Sequence, residues 1–126
     1  MAKTILIADD EPIQAATLEQ FLTQRGYKVL VAYNGNQALS KAVQYHPDLV
    51  ILDIMMPEID GTQVAMLLKQ DSRTDKIPIF FVTAVISADD RLQTAGHPNL
   101  IFAKPVRLTD LLEAIQTTLS EKPLIL

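Results

Sequence analysis

Four short apolar runs of this chain lead into polar side chains of types that take part in chemistry. The runs cover residues 4–8, 49–52, 77–82 and 100–103, and the side chains at their ends are Asp9, Asp10, Asp53, Thr83 and Lys104. If the runs are parallel strands of one sheet, their carboxyl ends share one edge and the five side chains converge there. Carboxylates that lie so close together repel one another, which favours a divalent cation between them. The ammonium and the hydroxyl suit a phosphoryl group beside it.

The elements that would position these residues alternate between strand and helix. A further strand is predicted at residues 28–32. Helices are predicted at residues 12–25, between an Asn34-Gly35-Asn36 turn and Pro47, at about 62–70, at about 88–95 and at 108–119. Gly26 is expected to end the first helix in the left-handed conformation. The sequence therefore predicts five strands and five helices in alternation.

Such apolar strands need helices on both faces, which predicts a parallel, doubly wound α/β sheet. A flavodoxin-like strand order of 2-1-3-4-5 places strands one and three side by side at the switch point, where ligands bind. Asp9, Asp10 and Asp53 follow or end those two strands. The topology and the polar residues therefore indicate the same site.

Composition limits the other classes of function. The 126 residues suit a single domain, 1–126, and 48% of them are hydrophobic. The net charge of -4 argues against nucleic acid as a direct partner. There is no cysteine for a disulfide or a thiolate site, and no apolar run of the roughly 18 residues that membrane insertion needs. Without a signal peptide in the sequence, we expect a cytoplasmic protein.

Several of these residues also have plainer interpretations. Asp9 or Asp10 would serve as a helix cap, although one aspartate is enough for that role. Thr83 alone is an ordinary strand residue, and Lys104 alone would suit a surface. Asp53 is harder to explain, because a lone carboxylate among apolar residues is costly unless it is paired or metal-bound. The set of five is therefore stronger than any member.

Other known chemistries find less support. His46 and His97 are the two histidines that could act as a general base, but each suits a helix end or a loop. Dinucleotide and nucleoside-triphosphate motifs are missing from the sequence. The loop after the first strand, residues 9–12, is acidic and would repel phosphate in the absence of a metal. A flavodoxin is therefore disfavoured.

The motifs, taken in order, resemble those of the response-regulator receiver domain of two-component signalling, of the chemotaxis-regulator kind. They are Asp9-Asp10, Asp53 with Met56-Pro57 and Asp60-Gly61, Thr83-Ala84 and Lys104-Pro105. The resemblance covers essentially the whole chain. It implies that Asp53 is the phosphoacceptor and that Asp9, Asp10, Asp53 and the backbone carbonyl of Met55 bind Mg²⁺. It also implies that Thr83 is the switch hydroxyl and that Lys104, next to a cis peptide bond, pairs with carboxylate or phosphoryl oxygens.

The same resemblance implies the partners. A sensor histidine kinase or a histidine phosphotransfer protein would supply the phosphoryl group. The chain would then be a signalling domain that catalyses its own phosphorylation and dephosphorylation, and not a metabolic enzyme. The face from strand four to helix five would change for a downstream protein or for phosphorelay, and a phosphorylation-dependent homodimer is compatible with this.

Some features depart from the family pattern or leave other classes open. Ile101 stands where the family commonly has an aromatic residue, with Phe102 next to it, so the usual aromatic switch is in doubt. A Mg²⁺-dependent phosphatase or phosphotransferase for small molecules would want an aspartate at Met55. A pseudo-receiver that only binds a partner would not need all five polar residues. The residues after the last helix are too few for an output domain, and a domain cut from a longer protein would look the same.

Overall fold

Five strands form one sheet in the computed structural model, which describes residues 2–84 and 100–120. They are β1 (Thr4–Ala8), β2 (Lys28–Ala32), β3 (Leu49–Asp53), β4 (Ile79–Thr83) and β5 (Leu100–Ala103). All four neighbouring pairs are parallel, and the order is β2-β1-β3-β4-β5. The predicted flavodoxin-like topology is confirmed.

Four helices cover the two faces of this sheet in the described part of the chain. They are α1 (Pro12–Gln24), α2 (Gly35–Tyr45), α3 (Gly61–Gln70) and α4 (Leu108–Leu119). The helix predicted at residues 88–95 lies outside the described residues. Within those residues, no helix has the length and apolar character required to cross a bilayer.

The core is divided into two layers because β-strand side chains alternate between the faces of a sheet. On one face, Leu6, Leu52 and Phe81 pack with buried residues of α2 and α3. On the other face, Ile7 and Ile51 pack with buried residues of α1 and α4. Every residue of β3 and β4 is buried, as the continuous apolar runs of a central parallel strand predict.

Two predicted boundaries are corrected in the first half of the chain. Asn34 and Gly35 do not form a free turn, because α2 begins at Gly35 and the Asn34 side chain accepts a hydrogen bond from the Gln37 amide at 2.8 Å. β3 includes Asp53, one residue beyond the predicted end. Gly26 has a φ of 94°, which confirms its predicted left-handed conformation.

Two further boundaries differ in the second half. β4 begins at Ile79 and ends at Thr83, whereas residues 77–82 were predicted. Ile77 instead belongs to a turn in which its amide bonds the Thr74 carbonyl at 3.1 Å. α3 begins at Gly61, one residue before its predicted start, because Asp60 caps it. These shifts leave the order of the elements unchanged.

Candidate functional site

Two adjacent strands bring the principal carboxylates together. Asp53 is the last residue of β3, and Asp9 follows β1, which pairs with β3 from Ile5 to Ala8. The Asp9 amide donates to the Ala32 carbonyl of β2 at 3.0 Å, so the pairing fixes the backbone up to the carboxylate. Both side chains therefore lie at the carboxyl edge of the sheet, where its strand order reverses.

Three carboxylates form one cluster at this edge. Asp9, Asp10 and Asp53 each offer an oxygen, and these oxygens all lie within 4.8 Å of one another. Asp9 and Asp53 are only 8% and 5% exposed, whereas Asp10 is more exposed. A set of carboxylate oxygens at this spacing fits a hard divalent cation such as Mg²⁺, which prefers oxygen ligands.

Lys104 provides the positive charge that faces this cluster. Its ammonium donates to Asp53 Oδ2 at 3.0 Å and to Asp9 Oδ2 at 3.4 Å. Its own backbone amide donates to the Thr83 carbonyl at 2.8 Å, and the Lys104–Pro105 peptide bond is cis, as predicted. The end of β5 is thus held against β4 while its lysine reaches across to β3 and β1.

Burial and nearby charges shift the pKa values of Asp9 and Lys104. Burial raises the pKa of Asp9, helped by the charge of Asp53 and opposed by the Glu11 amide and by Lys104. For Lys104, burial alone would lower the pKa, but the hydrogen bond to Asp53 and the charges of Asp9 and Asp53 outweigh it, so the pKa is raised. The lysine is therefore firmly charged, and one ammonium does not fully compensate the carboxylates.

The backbone on both sides of Asp53 is held in place by the start of α3. The Asp53 carboxylate accepts a hydrogen bond from the Met55 amide at 3.1 Å, and the Gly61 amide donates to the Ile54 carbonyl at 2.9 Å. A Cβ atom at Gly61 would collide with the backbone carbonyl oxygen of Asp53. Only glycine therefore lets the helix approach the end of β3 this closely.

The other predicted site residues lie beside this cluster. Thr83 is 4% exposed and ends β4, one residue beyond Val82, which is the register partner of Asp53. Met55 lies in the loop after β3, with a side chain that is 61% exposed. Their assigned roles, the switch hydroxyl and the metal-binding carbonyl, remain predictions.

A cleft opens next to the cluster, between α1 and the segment that joins β5 to α4. Its volume is about 650 Å³. Its lining combines the charged residues Asp9, Glu11, Asp53 and Lys104 with apolar side chains that include Leu18 and Val106. The carboxylates are thus accessible from one side, as a reacting group requires.

The histidines do not contribute to this cluster within the described residues. His46 ends α2 in a left-handed conformation, with a φ of 50°, and lies near the amino end of β3, opposite Asp53. His97 lies outside the described part of the chain. Glu11 was not predicted as a site residue, although its carboxylate lies 4.0 Å from the Lys104 ammonium. Its place directly after the acid pair was the available indication.

The strand order, with an acidic cluster and a facing lysine at the switch point, places the chain in the flavodoxin-like doubly wound class. The family model for the response regulator receiver domain matches residues 5–116. The chain therefore belongs to the response regulator receiver domain family, and the predicted resemblance is confirmed.

Similar proteins agree with this assignment. The polar-differentiation response regulator DivK of Brucella ovis is 29% identical over 122 residues, which span 96% of this chain and 99% of DivK. A putative response regulator from Chloroflexus aurantiacus J-10-fl superposes with a TM-score of 0.85 at 30% identity, covering 94% of this chain and 98% of that one.

A third similar protein has a metal at its site. The receiver domain of the sensor histidine kinase PA1611 from Pseudomonas aeruginosa PAO1 was crystallised with a magnesium ion coordinated in its active site cleft. It superposes with a TM-score of 0.83 at 26% identity and covers 93% of this chain and 97% of that one.

Proposed function

We propose that this domain accepts a phosphoryl group on Asp53 in a Mg²⁺-dependent reaction and passes the signal on by protein contact or phosphorelay. One observation carries the proposal: three carboxylates lie within 4.8 Å of one another at the switch point, and Lys104 donates to Asp53 at 3.0 Å. A structural ion pair would need only one carboxylate. The remaining two are explained if a cation and a phosphoryl group bind there.

We assign the metal ligands to Asp9, Asp10, Asp53 and the backbone carbonyl of Met55. When bound, Mg²⁺ supplies charge that offsets the repulsion between the carboxylates and the incoming phosphoryl group. The carboxylate spacing and the magnesium in the PA1611 receiver domain support this assignment.

In the reaction, a carboxylate oxygen of Asp53 forms a bond to phosphorus as the donor's N–P bond breaks, and the imidazole leaves with the bonding electrons. The side chains have mainly positioning and charge-neutralising work to do. Lys104 and the Thr83 hydroxyl bind the phosphoryl oxygens. Movement of Thr83 toward the phosphoryl group would change the surface from β4 to α4, where a downstream protein binds.

The phosphodonor is a sensor histidine kinase or a histidine phosphotransfer protein in the cytoplasm. The family supports this class of partner. We assign residues 1–126 to one receiver domain. Dephosphorylation is catalysed in the same site, so the domain is a self-modifying switch. A homodimer that forms on phosphorylation is one way in which the changed surface would act.

Intact mass spectrometry after incubation with acetyl phosphate tests this function. Wild-type protein should gain the mass of one phosphoryl group with Mg²⁺ and should stay unmodified in excess EDTA. Asp53→Asn keeps the shape of the side chain but removes the nucleophile, so it should gain nothing. Equal labelling of this variant would overturn the assignment.

A further inference from the structure

We propose that Glu11 selects the phosphodonor by charge: its carboxylate at the mouth of the site disfavours dianionic small phosphodonors relative to donors that carry less negative charge. This inference rests on the proposed function and adds a residue that determines donor specificity. It concerns the chain's own charge distribution around Asp53.

The side chain of Glu11 does not cap the helix it precedes. Glu11 is the N-cap of α1, yet its side chain makes no capping hydrogen bond. Its carboxylate lies instead 4.0 Å from the Lys104 ammonium, with the side chain 59% exposed. It also lines the cleft that leads to Asp53. The carboxylate is therefore both in contact with the site and open to an arriving ligand.

The formal charges of the site indicate that Glu11 determines whether the metal-loaded site is neutral or negative. Asp9, Asp10 and Asp53 together with Lys104 carry a formal charge of minus two, which a single Mg²⁺ would neutralise. Glu11 is the further carboxylate within 4.0 Å of the lysine in the described part of the chain. It turns a neutral, metal-loaded site into a negative one, and a like-charged ligand then enters less readily.

Two small donors differ in the charge that this field acts on. Acetyl phosphate is a dianion at neutral pH, and its O–P bond breaks to release acetate. Phosphoramidate carries one negative charge less, and its N–P bond breaks to release ammonia from the protonated nitrogen. The same O–P bond forms on Asp53 in both reactions but the leaving groups differ, so the effect of charge is read from the change that a Glu11 substitution makes in the ratio of the two rates.

The test compares second-order phosphorylation rates of wild type and Glu11→Gln with both donors at saturating Mg²⁺. At low ionic strength, the substitution should raise the second-order rate constant with acetyl phosphate about two- to fivefold and that with phosphoramidate by about the square root of that factor, because half the charge halves the interaction energy. At about 1 M salt, where the screening length falls to about 3 Å, the donor preference of the two proteins should converge. Calorimetry measures the Mg²⁺ dissociation constant of each protein, so that a Mg²⁺ concentration that saturates both can be chosen.

Two variants serve as controls. Glu11→Asp keeps the charge and should keep the wild-type donor preference. Glu19→Gln removes the same charge about 12 Å further along α1, given a rise of about 1.5 Å per residue, and should change the donor preference much less than Glu11→Gln does.

Equal changes with both donors would mean that Glu11 acts only through Lys104, and unchanged rates would mean that it has no role. Either result overturns the inference while leaving phosphorylation of Asp53 intact. Failure of wild type to react with either donor would instead overturn the proposed function together with the inference.

Discussion

Lys104 is the residue at which the charges of this site meet. Its position at the end of a predicted strand was readable from the sequence, and so were those of Asp9 and Asp53, because buried strands in a doubly wound sheet all end at one edge. The family resemblance also implied that Lys104 pairs with carboxylate oxygens, but its contact with Glu11 was not predicted. The contacts at 3.0 Å to Asp53, 3.4 Å to Asp9 and 4.0 Å to Glu11 depend on how loops far apart in sequence close around it.

Asp10 tests the metal site at the scale of one residue. Asp10→Ala removes an exposed member of the carboxylate cluster and should weaken Mg²⁺ binding about 10–100-fold, the usual cost of disturbing a ligand or its support. Isothermal titration calorimetry measures this directly, with Glu19→Ala as a control for the loss of a carboxylate elsewhere. Wild-type affinity in Asp10→Ala would exclude Asp10 from the site.

The side chains of Met55 and Val85 give a prediction about the lifetime of the phosphorylated state. In receivers, the positions two residues after the phosphoacceptor and two after the switch threonine flank the path of the hydrolytic water. They are Met55, whose side chain is 61% exposed, and Val85, which lies outside the described residues. Neither can orient a water by hydrogen bonding. The phosphorylated protein should therefore decay slowly, and a Met55→Asn, Val85→Glu double variant should decay faster when phosphoprotein is followed with time. Equal decay would refute control by these side chains.

At the scale of elements, the helix starts were harder to place than the helices themselves. Asn34 and Asp60 cap α2 and α3 through their side chains. Each helix therefore begins at the residue that directly follows its cap, a glycine that sequence patterns assign to a turn or loop. Both glycines pack closely against neighbouring backbone, Gly35 against Ile59 and Gly61 against Asp53. Such contacts between elements are not encoded in local propensity.

The cap of α3 gives a prediction about stability. Asp60 and Gln63 form a reciprocal capping box, so Asp60→Ala should lower the free energy of unfolding by about 0.5–2 kcal/mol at neutral pH, whereas Asp60→Asn should retain most of the cap. Urea denaturation measures both variants against wild type. An Asp60→Ala protein as stable as wild type would show that the box contributes nothing.

The same residue sets the pH dependence of this contribution. The hydrogen bond from the Thr62 hydroxyl, and then that from the Gln63 amide, lower the pKa of Asp60. A carboxyl with a lowered folded-state pKa stabilises the fold above its unfolded pKa, and that stabilisation is lost as pH falls through the folded value. The difference between wild type and Asp60→Ala should therefore shrink in acid. A difference that grows there would contradict the ionised cap.

The outer strand β5 shows why its aromatic residue does not replace the one usual in the family. Ile101 packs against the core layer of α2 and α3, whereas Phe102 packs against the layer of α1 and α4. Its ring lies 5.5 Å from that of Phe80. Neighbouring strand residues face opposite sides of the sheet. We therefore expect any switching on the Ile101 side to rely on an aliphatic side chain.

For the whole molecule, the strand order was predictable because apolar strands, right-handed crossovers and alternating helices leave few arrangements. The network around Gly61 and the cleft beside α1 were not, since both arise only when the layers pack together. We infer that this packing makes Asp53, among three clustered carboxylates, the one nucleophile.

Locating the phosphoryl group within the chain distinguishes Asp53 from the other two carboxylates. The protein is phosphorylated with acetyl phosphate and Mg²⁺ and then reduced with borohydride, which converts an aspartyl phosphate to homoserine, and its peptides are sequenced by mass spectrometry. We expect homoserine at position 53, with Asp9 and Asp10 unchanged. Homoserine at either of those two positions, or a phosphoryl group on a hydroxyl side chain, would contradict it.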